Sequence, residues 1–278
     1  MQDSYSGEPH DGEQALRRFV KRVSIDVDIY EKDFSVSYKG LNDPVTEADL
    51  LANSIIVNGL TTHFPEDEII AEESPLPTGS EQTKRVWYVD PLDGTKEFIS
   101  RNGDFSVMIG LTINGRPQLG IVYWPTKKQL FIGITDQEAW MEYRGVRHAL
   151  TATQAKCPPA LSVVASRSHR SPHISVIKHA LQIEEEHQMG SIGLKIGFIG
   201  KGGADLYMEP GPYTKAWDAC APEAILRGAG GCFTDIHGNP IQYGTNEIRN
   251  LHGVLATTRD CHQRVLQSLT GLCSTCEG

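Results

Sequence analysis

Val86-Trp-Tyr-Val-Asp90-Pro-Leu-Asp93-Gly-Thr95-Lys-Glu-Phe98 is the stretch on which the reading of this chain turns. An apolar, β-prone run stops abruptly on Asp90, and a second carboxylate follows at Asp93, before Gly94 and Thr95. Pro91 fixes φ and leaves no N–H stranded at the turn. Gly94 lets backbone approach a ligand with no Cβ in the way. A helix starting here would turn the N–H groups of Gly94 and Thr95 toward an anion. Two carboxylates at a strand mouth beside such a turn suit a metal-assisted phosphate site. The plainer alternative is that Asp90 and Asp93 shape a turn and cap a helix, a common use of aspartate.

Around this stretch the chain reads as alternating strands and helices. Leu16, Phe19, Val20 and Val23 recur at helical spacing, which predicts an opening helix. Gly40 to Pro44 reads as a loop, then a helix capped by Thr46 with Leu50, Leu51, Ile55 and Ile56 facing inward. Ile69 to Ala71 is a short buried strand ending on Glu72-Glu73, and Ser74 to Thr83 is a loop. Phe105–Ile113 and Gln118–Trp124 flank Asn114-Gly115 and predict a β-hairpin. Strands are expected near Gln129–Gly133, Ala139–Tyr143, Leu161–Ala165, Ala204–Tyr207, Cys232–Asp235 and Gly253–Thr257. Helices are expected from Ser171-Pro172 through Leu181, over Pro222–Arg227, and over Asp260–Leu269. Lys156-Cys-Pro-Pro159 is the best boundary between a first half, 1–155, and a second, 156–278, of one catalytic domain. Mixed elements of this order predict a layered α/β (mixed α+β) protein.

The 278 residues suffice for one large domain with a full core, at 39% hydrophobic and 22% charged residues. A net charge of −9 argues against a nucleic acid polymer as partner. Bound cations reverse the field at a carboxylate cluster, so phosphate binding stays open. No apolar run reaches the ~20 residues of a membrane span. Met1 to Glu8 shows neither a basic region nor an apolar one, which predicts a cytoplasmic location. Six scattered cysteines read as free thiols, and Cys273-Ser-Thr-Cys276 carries redox-type spacing on the last residues.

Glu72, Asp90, Asp93 and Asp218 each end or begin an ordered element. Hard oxygen donors without a Cys/His cluster favour Mg²⁺ over zinc. Thr46-Glu-Ala-Asp49 has the form of a capping box, which explains Asp49 locally; otherwise Asp49 accepts from the Thr95 hydroxyl. Asp218 reads as an N-cap before the Pro222 helix, or as a metal ligand if the chain folds back onto Asp90. In Ser166-Arg-Ser-His169-Arg and at Lys195, cationic and hydroxyl groups suit a second phosphate, and His169 suits stacking on a base. A surface loop with a few charges is the alternative there. Lys39-Gly40 and the following loop suit a lid near the metals.

Taken together, these pieces resemble the lithium-sensitive, magnesium-dependent phosphatase superfamily that includes inositol monophosphatase, fructose-1,6-bisphosphatase and the 3′(2′),5′-bisphosphate nucleotidases. The resemblance runs from Lys39 to about Thr257. Its most specific motifs are Asp90-Pro-Leu-Asp-Gly-Thr95 and Trp217-Asp218, with Ala71-Glu-Glu-Ser74 and Pro44-Val-Thr-Glu-Ala-Asp49 in order. It implies a layered α/β/α/β/α sandwich. It also implies that Glu72, Asp90, Asp93, the Leu92 carbonyl and Asp218 hold two or three Mg²⁺ ions. Thr95 and Asp49 would then orient and deprotonate the attacking water, and Asp49 would be more than a cap.

Within the superfamily, Asp-Gly-Thr-Lys96-Glu97-Phe98, Ser166-Arg-Ser-His169 and Trp217-Asp-Ala-Cys-Ala-Pro-Glu-Ala-Ile-Leu226 look like the bisphosphate nucleotidases. By matching position, Ser166, His169, Ser191 and Lys195 contact the nucleotide, with Gly94 and Thr95 at the phosphate. Lys201 departs from the glutamate usual there, and Tyr207-Met-Glu209 is similar to the acidic segment that inositol phosphatases use near their sugar. The implied activity is hydrolysis of the 3′-phosphate of 3′-phosphoadenosine 5′-phosphate, giving AMP. The alternatives are inositol 1-phosphate hydrolysis and a non-catalytic nucleotide sensor. A homodimer is one assembly the sequence allows.

Overall fold

The structure, a computed structural model, describes residues 34–40, 43–76, 84–153, 161–244 and 247–275, with Tyr30 and Lys32. The expected helix at Leu16–Val23, the 156–159 boundary, Cys157 and Cys276 lie outside these residues, as do the side chain of Cys273 and most of the 74–83 loop. Cys220, Cys232 and Cys261 are free thiols.

A hairpin of β1 (Val36–Gly40) and β2 (Asp43–Thr46) leads into helix α1 (Glu47–His63). The first sheet holds seven strands in the order β3-β4-β5-β6-β7-β8-β9. They are β3 (Glu68–Ala71), β4 (Arg85–Asp93), β5 (Ser106–Ile113), β6 (Arg116–Trp124), β7 (Gln129–Ile134), β8 (Glu138–Tyr143) and β9 (Val146–Ala149). The β3–β4 pair is parallel and the rest are antiparallel. A short helix, α2 (Thr95–Ile99), follows β4.

The second sheet is ordered β11-β10-β12-β14-β13. Its strands are β10 (Ser162–Ser166), β11 (Glu185–Met189), β12 (Leu206–Glu209), β13 (Cys232–Thr234) and β14 (Val254–Thr257). Helices α3 (His173–Leu181), α4 (Ile192–Gly200), α5 (Ala216–Gly228) and α6 (His262–Thr275) complete the chain.

Side-chain alternation along the strands sorts the layers. Trp87, Val89, Val107 and Ile109 face α1 through Ala52, Ile56 and Leu60. Val86, Tyr88, Met108 and Phe131 face the other way, into a core shared with α4, α5 and Val164, Tyr207 and Val254 of the second sheet. Val163, Ala165, Leu206 and Leu255 turn outward to meet Ile174, Ile177 and Val265. The result is the α/β/α/β/α sandwich. Each Leu or Ile so buried contributes about 1.5–3 kcal/mol of transfer free energy.

Three glycines seat α5 on the first sheet. Gly110, Gly120 and Gly133 are register partners on β5, β6 and β7. A Cβ at Gly120 would stand 2.2 Å from the Ala221 carbonyl oxygen, and one at Gly133 would stand 2.3 Å from the Ile225 Cα. The helix backbone therefore lies directly on the sheet.

Several expectations need correcting. Leu50 and Leu51 do not face inward; they are 53% and 40% exposed. The α1 face that meets the sheet is Ala48, Ala52, Ile56 and Leu60, where small residues near the N-terminus allow close approach. The expected loop at 40–44 is largely strand, because β1 and β2 pair across it. Asp218 is not a cap before a helix: α5 starts at Ala216 and encloses both Asp218 and Pro222. Helix α4 and strands β9 and β11 were not expected at all.

Candidate active site

Strand β4 does not end at Asp90 but runs through an irregularity to Asp93. Asp90 pairs with Met108 and Asp93 with Ser106, so three steps on β4 oppose two on β5. This is the geometry of a bulge, with one extra residue on one strand. Cross-strand partners share a face, so the extra residue brings both aspartates to the face that carries Met108 and α5. Glu72 follows β3 on the neighbouring strand, its N–H bonded to the Val89 carbonyl at 3.0 Å. Asp218 sits in the first turn of α5, its carboxylate accepting from the Lys215 N–H at 2.6 Å. The Leu92 N–H donates to Asp90 Oδ1 at 3.0 Å.

Beside these acids the Thr95 hydroxyl donates to Asp49 Oδ1 at 3.1 Å. Asp49 uses its other oxygen, Oδ2, to accept from the Thr46 N–H (2.8 Å) and hydroxyl (2.6 Å). One carboxylate is thus both capping-box partner and acceptor for Thr95. Asp49 is buried, and that burial raises its pKa against the pull of its donors. Gly94 precedes Thr95 with φ of 102°, a left-handed backbone that favours glycine.

The acids repel one another. Burial, then Glu72, Asp93 and Asp218, push the Asp90 carboxyl well above its usual range. Burial, then Glu72 and Asp93, push Asp218 up to about 8. Burial also raises Asp93, against Lys195 and the Ser191 hydroxyl. Ammonium groups gather in answer: Lys39 Nζ lies 3.1 Å from Glu72 and 2.6 Å from Glu73, and Lys215 Nζ 4.0 Å from Glu72. Lys39, expected on a lid, is thus on β1 against this acidic pair. As they stand, no three Asp, Glu, His or Cys side chains among the described residues form a group that could hold an ion. The donor chemistry nevertheless fits Mg²⁺: carboxylates and a carbonyl, no thiolate or imidazole, and lysines drawn in where positive charge is needed.

The residues expected to meet the substrate's remainder come from β10, the loop after it and α4. Ser166 ends β10, paired with Met189 of β11. Ser191 caps α4 with a strained φ of 43°, donating to Asp93 Oδ2 at 2.6 Å and accepting from the Leu194 N–H at 3.2 Å. Its hydroxyl proton is therefore engaged with Asp93, and the residue is buried. Lys195 is buried too, donating to the Gly190 carbonyl at 3.1 Å and lying 5.2 Å from the Tyr207 ring centre. Burial lowers its pKa, while Asp93, Glu97, Asp104 and Glu209 pull it back up. His169 is on the exposed loop after β10; desolvation, then Lys96, lowers its pKa.

Sequence reasoning gave no role to Glu97, Asp104 or Gly190. Glu97 is buried, accepting from the Ser168 hydroxyl at 2.5 Å, and Asp104 accepts from Arg167 at 2.5 Å and from the Gly190 N–H at 3.3 Å. A buried charge in a short helix looks from sequence like a solvated one.

The layered sandwich, with its acidic centre at the edge of the first sheet, defines an α+β protein of the phosphatase class. The chain belongs to the inositol monophosphatase family, whose family model matches residues 14–272. It is 41% identical over 219 residues to the 3′(2′),5′-bisphosphate nucleotidase CysQ of Escherichia coli (strain K12), covering 78% of this chain and 86% of that protein. The crystal structure of CysQ from Bacteroides thetaiotaomicron superposes with a TM-score of 0.72 at 28% identity, covering 90% of this chain and 98% of that one. The suhB protein of Bartonella henselae shares the fold, with a TM-score of 0.79 at 23% identity over 93% of this chain and 98% of that one.

Proposed function

We propose that this chain is a magnesium-dependent phosphomonoesterase that removes the 3′-phosphate of 3′-phosphoadenosine 5′-phosphate, giving AMP and phosphate. The carrying observation is the Thr95–Asp49 hydrogen bond at 3.1 Å beside the Glu72, Asp90, Asp93 and Asp218 carboxylates. The 41% identity to a bisphosphate nucleotidase supports the choice of substrate. A non-catalytic sensor would have no need of Thr95 bonded to Asp49. No described helix is long and apolar enough to cross a membrane.

In this reading Glu72, Asp90, Asp93, Asp218 and the Leu92 carbonyl hold two or three Mg²⁺ ions. When bound, magnesium supplies charge neutralisation at the phosphate. Thr95 donates its proton to Asp49, which leaves its oxygen to accept a proton from the attacking water, with Asp49 as the base behind it. The water oxygen bonds to phosphorus as the bond to the 3′ oxygen breaks, and that oxygen takes a proton from solvent water to leave as the 3′-hydroxyl. The Gly94 and Thr95 amides offer further donors to the phosphate. Positioning and electrostatics together must supply upward of ~20 kcal/mol, because uncatalysed phosphate-monoester hydrolysis is so slow. Residues 1–155 would form the metal-binding half and 156–278 the nucleotide-binding half, from which Asp218 alone reaches the ions.

A phosphate-release panel with magnesium tests this, using the adenosine bisphosphate, inositol 1-phosphate and fructose 1,6-bisphosphate, each with and without lithium. The expected outcome is highest kcat/KM on the adenosine bisphosphate, inhibited by lithium. Equal or faster hydrolysis of inositol 1-phosphate would overturn the substrate assignment and favour the inositol phosphatase alternative.

A further inference from the structure

Loop 166–170 is held by its side chains on both sides of His169. Arg167 donates to Asp104 (2.5 Å) and to the Gln188 carbonyl (3.0 Å). Ser168 donates to Glu97 (2.5 Å), and Arg170 forms a two-pronged pair with Glu186 at 2.5 and 3.0 Å. His169 between them makes no hydrogen bond among the described residues, so its imidazole remains available to a ligand.

Two of these anchors lie far away in sequence, with Glu97 71 positions from Ser168 and Asp104 63 from Arg167. Glu97 is only 4% exposed and sits on α2, two residues after Thr95. The contact is tight by construction: a Cβ at Gly190 would stand 2.2 Å from the Asp104 carbonyl oxygen and 2.4 Å from the Glu97 Cγ. One short helix therefore carries both the Thr95 hydroxyl and, two residues on, the anchor of the loop.

We propose that Glu97 is a positioning residue: through Ser168 it fixes the loop that presents His169, and so sets the span between His169 and Thr95. This rests on the reading above, in which His169 meets the nucleoside and Thr95 faces the phosphate. A substrate that bridges both ends feels that span. A small phosphate ester that lacks a base does not.

The test compares wild type with Ser168→Ala, Glu97→Ala and Glu97→Gln in the full chain with magnesium. Ser168 is exposed, so its variant folds even if Glu97→Ala does not. Ser168→Ala and Glu97→Ala are expected each to raise KM for the adenosine bisphosphate about tenfold, the scale of one charge-assisted hydrogen bond. Their kcat should stay within about twofold, and kcat/KM on glycerol 2-phosphate should not change. The double variant should be no worse than the more severe single, since both remove one contact. Glu97→Gln, which keeps an acceptor for Ser168, should restore KM. Hydrogen exchange at residues 166–170 should rise in Ser168→Ala. Parallel kcat losses on both esters, additive singles, or unchanged KM despite faster loop exchange would each overturn the proposal. If wild type fails to hydrolyse the adenosine bisphosphate, the nucleotidase reading falls and the exchange arm alone decides. Unchanged loop protection in Ser168→Ala would then defeat the clasp itself.

Discussion

Asp49 shows how one side chain can satisfy two sequence readings that looked like rivals. Its Oδ2 completes the capping box with Thr46 and its Oδ1 receives Thr95. The two functions separate by mutation because they use different oxygens. Thr95→Val keeps the side-chain shape and the cap but removes the hydroxyl that donates to Asp49 and that we propose orients the attacking water. Steady-state kinetics should show kcat lowered by about 10²-fold or more with KM little changed, the usual size of a lost general-base element. Urea unfolding of the same variant should match wild type. Thr46→Val removes the capping hydroxyl instead and should lower unfolding stability by about 1 kcal/mol. Its kcat should fall far less than that of Thr95→Val. If Thr46→Val were the more damaging to turnover, the water-orienting role of Thr95 would be wrong.

Helix α5 makes the corresponding case at the level of an element. It delivers Asp218 to the acids of β4 while lying on Gly110, Gly120 and Gly133. Farther along it buries Glu223, which accepts from the Tyr243 hydroxyl at 2.8 Å and from Arg227 at 3.3 Å. Burial, against these donors, pushes Glu223 up to about 7. A raised carboxyl binds its proton more tightly folded than unfolded. Its contribution to stability is therefore full below the unfolded value of about 4.5 and is lost as pH rises to about 7. Glu223→Gln lacks this dependence, so thermal unfolding should show the variant gaining on wild type across that window. A constant Tm difference would contradict the shift. The sequence marked α5 only from Pro222 onward, because proline usually opens a helix and here it sits inside one. Helix α4 was invisible for a related reason. Gly193, Gly197 and Gly200 weaken helical propensity, yet side chains at the first two would strike Met108 and Phe131. The missed strands β9 and β11 are sheet edges, where polar sequences such as Glu185-Glu-His-Gln-Met189 carry no alternating apolar signal. The buried central strands were legible because their apolar runs are bounded by turn residues such as Asn114-Gly115, whose positive φ values fit the hairpin.

Across the whole molecule, the candidate site is assembled from α1, β3, β4, α2 and α5, spanning Asp49 to Asp218. The acids were legible because each stands at the end of an apolar run or in a compact motif. The clasp from Asp104 and Glu97 to loop 166–170 was not, since no local pattern encodes a contact 63 or 71 residues long. An acidic centre gathered from so many elements forms only when the sandwich is complete, so a cation that binds there binds the folded chain and not the unfolded one. Magnesium should accordingly raise Tm by mass action, by an amount equivalent to about 2.7 kcal/mol at a hundredfold excess over Kd. Asp90→Asn separates this linkage from a general salt effect. The substitution replaces one of the proposed carboxylate ligands by a neutral amide and relieves repulsion from Glu72, Asp93 and Asp218. Without magnesium, differential scanning calorimetry should therefore find the variant at least as stable as wild type, since function is maintained there against local repulsion. With magnesium, wild type should overtake it, and the variant's phosphate release should be abolished. An equal magnesium-induced Tm rise in both proteins would place the ion elsewhere on this acidic surface and detach Asp90 from the chemistry.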